Sequence, residues 1–159
     1  MRTLRTVDVD FLENAPYRFD FSEPVTASVE RVFAAISADP STWSWFDGVA
    51  DARYESSPPH GVGTKRDIRM DDDTYRETII AWDEPHRWAY RVDETTMPVF
   101  EALAEDWRIA PDGEHAIVTW TFAIAPTAEG AAVVDVLPEL LGKVFRAAMQ
   151  GLSAHLAAN

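Results

Sequence analysis

Arg66, Glu77 and Glu105 are the residues of this chain whose types and placement could do chemistry together. Each falls on the apolar side of an alternating run: Arg66 with Ile68 and Met70, Glu77 with Tyr75 and Ile79, Glu105 with Leu103 and Trp107. A charge turned toward an apolar interior is costly unless it is paired or hydrated, so such a residue is kept for a partner or a task. An arginine there can hold a carboxylate, phenolate or enolate. A glutamate there, its pKa raised by burial, can serve as general acid or base, and Tyr75 or Tyr90 can donate to a carbonyl. That apparatus suits aldol cyclisation or dehydration. The purely structural alternative is an Arg66–Glu77 bridge, with Glu105 at an open, wet rim.

Other chemistries find little support. The chain has no cysteine, which removes disulfides, thiolate metal sites and a cysteine nucleophile. His60, His86, His115 and His155 are far apart and form no metal-ligand spacing, so no metal and no cofactor are expected. His155 shares the apolar side of the last helical stretch and could reach an interior from its far end, although a histidine near a helix C-terminus also suits the helix dipole. Asp71-Asp72-Asp73 lacks the glycine and distal glutamate of a calcium loop and reads as a solvated hairpin tip. Gly61-Val62-Gly63 lacks the third glycine and strand-to-helix context of a dinucleotide loop, and no serine sits in a GxSxG elbow.

The elements that must position these residues are mostly strands. Tyr17, Phe19 and Phe21 alternate with polar residues as a first strand. Val29, Val32, Phe33 and Ile36 then trace one apolar helix stripe, which Thr26 or Ser28 can cap and Asp39-Pro40 stops. Ser41 to Phe46 is a short helix or turn whose Trp43, Trp45 and Phe46 either gate a cavity mouth or fill a core. Six strands follow, with inner faces Ala50-Ala52-Tyr54, Thr64-Arg66-Ile68-Met70, Tyr75-Glu77-Ile79-Ala81, Trp88-Tyr90-Val92, Leu103-Glu105-Trp107-Ile109 and Val118-Trp120-Phe122-Ile124.

Turn chemistry predicts the registers. An Asp71-Asp72 loop sets Arg66 opposite Glu77 and Ile68 opposite Tyr75, and a Glu84-Pro85 loop sets Ala81 opposite Trp88 and Ile79 opposite Tyr90. Closure at Pro111-Asp112-Gly113-Glu114 sets Trp107 opposite Val118, Glu105 opposite Trp120 and Leu103 opposite Phe122. Ala123 to Ala132 reads as a loop, and Val133 to Val136 as a short turn or helix. A last helix from Leu137 to Leu156 has an apolar stripe and takes Pro138 in its first turn.

In this order of elements the chain resembles the START-like, Bet v 1-like superfamily, in particular its polyketide cyclase/dehydrase-type members. The marks are Pro24 to Phe33, Asp39-Pro40 with Trp43 to Phe46, Gly61-Val62-Gly63-Thr64, Trp82 to Arg87, and Trp107 with Pro111-Asp112-Gly113. The resemblance covers Tyr17 to Leu156. It implies an α+β helix-grip fold: a seven-stranded antiparallel curved sheet around a long C-terminal helix, with two short helices after the first strand and a ligand cavity between. Residues 1–159 are expected to form one such domain, with 1–15 outside the resemblance as an extra strand or an N-terminal arm.

The leading functional expectation is binding of a small hydrophobic or aromatic ligand, lipid included, between sheet and helix. The expected wall is Phe46, Ile68, Met70, Tyr75, Ile79, Trp88, Tyr90, Met97, Phe100, Leu103, Trp107, Trp120 and Phe122, with Leu141, Val144, Phe145 and Ala148 from the helix. One alternative is a cyclase, aromatase or dehydratase without metal or nucleotide cofactor, using Arg66, Glu77 and Glu105. Another is a protein-interaction or chaperone-associated regulatory module with an acidic surface and an exposed Trp82. A formal charge of −13 argues against docking on nucleic acid or anionic lipid headgroups. The first ten residues lack a signal-peptide core and no segment approaches a membrane span, so a cytoplasmic monomer or homodimer without integral membrane contact is expected.

Overall fold

Seven antiparallel strands pair in the order β2-β8-β7-β6-β5-β4-β3 in a computed structural model that describes residues 1–159. The strands are β2 (Tyr17–Val25), β3 (Val49–Tyr54), β4 (Lys65–Met70), β5 (Asp73–Asp83), β6 (Arg87–Thr95), β7 (Phe100–Asp112) and β8 (His115–Pro126). An additional two-residue strand, β1 (Arg2–Thr3), pairs with β6. The helices are α1 (Phe11–Asn14), α2 (Val29–Ser37), α3 (Ala128–Ala131) and α4 (Leu137–Ala157). Ser28 caps α2 by accepting from the Arg31 N–H, as its position before the apolar stripe predicts. Pro40–Thr42 forms a 3-10 turn, and Trp43, Trp45 and Phe46 follow it into the core.

The curved sheet has two covered faces. Inward-pointing aromatic and branched side chains of β2, β6, β7 and β8 meet Phe145, Met149, Leu152 and Leu156 of α4 in the main core. On the outer face, alternate positions of β6, β7 and β8 carry alanine: Ala89, Ala102, Ala104, Ala123 and Ala125. Such small side chains leave a shallow surface, and Val7, Leu12 and Ile80 pack onto it. The N-terminal residues are therefore an ordered strap containing a short strand. β6 and β7 pair between Arg87–Arg91 and Ala104–Arg108. Beyond that stretch the strap lies between them, with the Leu4 N–H donating to Asp93 and the Arg5 N–H donating to Glu101, each at 2.8 Å.

Two predicted registers need correction. Gly113 takes φ +62, and Gly113-Glu114 alone forms the loop between Asp112 and its partner His115. Trp107 therefore faces Trp120, Glu105 faces Phe122 and Leu103 faces Ile124, a slide of two residues that keeps each residue on its predicted side. In β5 an irregularity between Ile79 and Ala81 changes the phase, so Ala81 meets Ala89 and Trp82 meets Trp88, while Ile79 still meets Tyr90. Trp82 is thereby half-buried, edge-on to Phe33, rather than exposed. Ala123–Pro126 continues β8 instead of forming a loop.

One glycine fixes how closely α4 approaches the aromatic segment. A Cβ on Gly151 would lie 2.4 Å from the Trp45 carbonyl oxygen, so the backbones must separate to admit it. Gly151→Ala is expected to lower the unfolding free energy by about 1–3 kcal/mol in urea titration. Gly61→Ala, whose Cβ meets nothing within 4 Å, should stay within about 0.5 kcal/mol of wild type.

Candidate functional site

The interior between α4 and the sheet contains a cavity of about 330 Å³. Strand alternation builds its floor: Arg66 and Ile68 from β4, Glu77 from β5, Tyr90 from β6, Leu103, Glu105 and Trp107 from β7, and Trp120 and Phe122 from β8. The predicted loop between β4 and β5 places Arg66 directly across from Glu77 and Ile68 across from Tyr75. Asp71 there adopts φ +52, a left-handed geometry that aspartate tolerates better than most residues. Met70 and Tyr75 line the cavity near this loop. Met97 and Phe100 close one side, and Phe46 with Leu141 and Val144 of α4 closes another.

Those residues were all expected at the cavity except Asp71, and Trp43 joins them as a lining residue that is itself buried. Four other expected wall residues lie elsewhere. Ile79 and Trp88 are fully buried, with Trp88 behind the cavity floor among Trp43, Tyr90 and Trp107. Phe145 packs on Phe21, Trp107 and Trp120 within the core, and Ala148 borders a separate depression beside Phe46. His155 does not line the cavity. Asp71, Asp73, Leu137 and Leu140 also line it and were not assigned to it from sequence. Leu137 and Leu140 do belong to the predicted apolar stripe, and Leu140 is 56% exposed, so it marks the mouth.

Arg66 is 1% exposed and Glu77 4%. The Arg66 Nε donates to Glu77 Oε2. Its guanidinium carbon lies 4.9, 4.7 and 4.5 Å from the ring centres of Trp43, Trp88 and Tyr90, so three aromatic rings surround the cation. Glu105 is at the floor, 8% exposed, not at a wet rim. Its Oε2 accepts from the Tyr90 hydroxyl and, at 2.8 Å, from the Trp120 indole N–H. Arg66 Nη1 has no hydrogen-bond partner, and neither does the Trp43 indole N–H. Both nitrogens are enclosed by the surrounding side chains.

Burial pushes Glu77 up to about 7, overriding the pull of the Arg66 charge, and the nearby Glu105 pushes the same way. Burial also raises Glu105, against the hydrogen bonds from Tyr90 and Trp120 that favour its ionised form. Tyr90 is held well above its ordinary value, first by burial and then by the Glu105 and Glu77 charges. Two carboxyls thus share one buried cation, an arrangement that retains a proton near neutral pH and can both give and take one.

The family model described as polyketide cyclase/dehydrase and lipid transport matches residues 17–157. No curated protein sequence matches the chain. Among solved structures, a START superfamily protein from Mycobacterium smegmatis is 10% identical, with 89% of this chain and 97% of that chain covered and a TM-score of 0.74. Major latex-like protein 151 from Panax ginseng is 16% identical, with 87% and 96% covered and a TM-score of 0.72. A Thermus thermophilus protein is 17% identical, with 89% and 98% covered and a TM-score of 0.72. The shared architecture is the helix-grip fold, a curved antiparallel sheet closed around a long C-terminal helix.

Proposed function

The chain belongs to the polyketide cyclase/dehydrase and lipid transport family, and on that premise we propose that it binds a small, largely apolar or aromatic molecule in the cavity between the sheet and α4. The observation that carries this reading is a cavity of about 330 Å³ whose mostly apolar walls include the buried polar groups of Arg66, Glu77 and Glu105. Mostly apolar walls with a few convergent polar groups are what small-molecule sites have in common. No helix is long and apolar enough to cross a membrane. A cytoplasmic site of action is part of the same proposal. A monomer or homodimer is sufficient for it, because one chain supplies all the lining residues.

Native mass spectrometry of gently purified protein tests the proposal. The expected spectrum carries an added small-molecule mass that is lost on denaturation. Persistently bare protein that also takes up no apolar ligand on titration overturns the reading.

A second reading, acid–base catalysis on the bound molecule, is favoured by Glu77 titrating near 7 beside the Tyr90–Glu105 pair. Glu77→Gln should then slow turnover of a cyclising or dehydrating substrate by about 10²–10⁴-fold while affinity stays within a few-fold. Unchanged turnover removes Glu77 from the mechanism. The cavity favours these two readings over a protein-interaction module, which needs no interior void.

A further inference from the structure

We propose that residues 2–5 of the strap are a displaceable closure over a second entrance to the cavity, one that runs through the sheet between β6 and β7. The inference rests on the ligand-binding reading above. β6 extends to Thr95 and β7 begins at Phe100, yet the two pair only where Arg87–Arg91 meets Ala104–Arg108. Over the rest of their length each leaves an edge to the strap. Thr3 stands opposite Glu94, the Leu4 N–H donates to the Asp93 carbonyl and the Arg5 N–H to the Glu101 carbonyl. Arg2 Nη1 donates to the Phe100 carbonyl at 2.8 Å. Both strands keep anchors on their far sides: Thr95 pairs with Tyr75 of β5, Ala102 pairs with Ala125 of β8, and the Thr127 N–H donates to the Val99 carbonyl at 3.0 Å. Withdrawing the strap therefore leaves a gap framed by two anchored edges.

Leu4 fills that gap. It is 4% exposed and belongs to the inner core together with Phe100 and Leu103, both of which line the cavity. On the other side Leu4, with Thr3 and Thr6, lines an outer depression of about 380 Å³ whose walls include Arg91, Asp93 and Glu94. Glu77 borders both spaces, so they lie one residue apart there.

The strap is also where the wall yields most readily. Widening the mouth beside Leu140 means shifting α4, whose Phe145, Met149 and Leu152 are buried in the core and whose Gly151 sits against the Trp45 backbone. Withdrawing residues 2–5 uncovers one buried apolar side chain, that of Leu4, because Arg2, Thr3 and Arg5 are exposed already. Segments with few buried apolar contacts open locally while the rest of a fold stays intact, and such segments serve as lids.

A reversible lock tests the entrance, because the chain has no cysteine of its own. Thr3→Cys with Glu94→Cys puts the new pair at opposed positions of antiparallel strands, within disulfide reach. Uptake and release of N-phenyl-1-naphthylamine, an uncharged probe that fluoresces in apolar surroundings, are followed by stopped flow in the oxidised and reduced protein. Oxidation is expected to slow both rates at least about threefold at the same Kd, and reduction to restore them. Leu4→Ala in the full chain should speed both by about threefold or more, again at the same Kd, since a gate moves the two rates together whereas a wall residue moves the affinity. Equal rates in the oxidised and reduced forms overturn the entrance and leave the ligand-binding reading standing. A Leu4→Ala protein with altered Kd and unchanged uptake rate makes Leu4 part of the wall and overturns it too. Failure of the probe to bind any form takes down that reading and this inference with it.

Discussion

Arg66→Met is expected to lower the unfolding free energy by about 3–5 kcal/mol at pH 8, the cost of leaving a buried carboxylate without its partner. The loss has two parts. Glu77 loses the Nε donor and the opposing charge, and Trp43, Trp88 and Tyr90 lose the cation they surround. A protonated Glu77 no longer needs a counter-charge, so the deficit of Arg66→Met should shrink as pH falls toward 5. Replacing both partners, Arg66→Met with Glu77→Leu, should recover most of the stability, because an apolar pair removes both desolvation penalties at once. Urea unfolding of the three variants at two pH values checks this. A single variant as stable as wild type at pH 8 means that the pair contributes nothing net, and a double variant no better than the single one means that the cation's contacts with the rings dominate.

Arg66 and Glu77 were legible in the sequence because strand periodicity is strict and their connecting loop is only two residues long. Hydrophobic alternation put both on the inner face, and the Asp71-Asp72 turn fixed which residue stands opposite which. Glu105 shows the limit of that method. Its side of β7 followed from Leu103 and Trp107, but its partner depended on whether the loop is four residues or two, which the glycine at 113 decides only through its positive φ. A slip of two preserves the face, so the chemistry survived the error. The irregularity after Ile79 is different, because it reverses the face and brings Trp82 inward, and alternation alone carries no sign of it.

Cavity depth was less legible than cavity character. Trp88 and Phe145 point to the expected side, yet other side chains intervene between them and the void. Whether an inward residue lines a space or fills it depends on the volumes of residues distant in the chain, which no local pattern records. The strap is a further case. Residues 1–15 lie outside the family match, but the alanines of β6, β7 and β8 are a sequence sign that something packs closely on the outer face. Leu4 joins the inner core while Val7 and Leu12 join the outer one, so the strap passes through the line where β6 and β7 part.

Wild-type stability relative to Glu77→Gln is expected to fall by roughly 3 kcal/mol between pH 4.5 and pH 8. The sign follows from the direction of the shift. Glu77 has an ordinary value of 4.5 and is raised to about 7 in the folded chain, so across that window the folded state binds more protons than the unfolded state. Its stabilising contribution is fully present below 4.5 and is lost as pH rises through 7. Burial is the main cause of the shift, and among the facing groups Arg66 on β4 opposes it while Glu105 on β7 and Asp93 on β6 reinforce it. Glu105, itself raised, contributes with the same sign in both proteins, so its own titration largely drops out of the difference while its coupling to Glu77 stays within it as a property of the same site. The surface carboxylates cancel likewise, which makes the difference between the two proteins specific to this site. A difference that stays flat across the window means that Glu77 is ionised throughout as a permanent partner of Arg66. The floor would then carry no transferable proton at neutral pH, and binding without catalysis would be the function left to it.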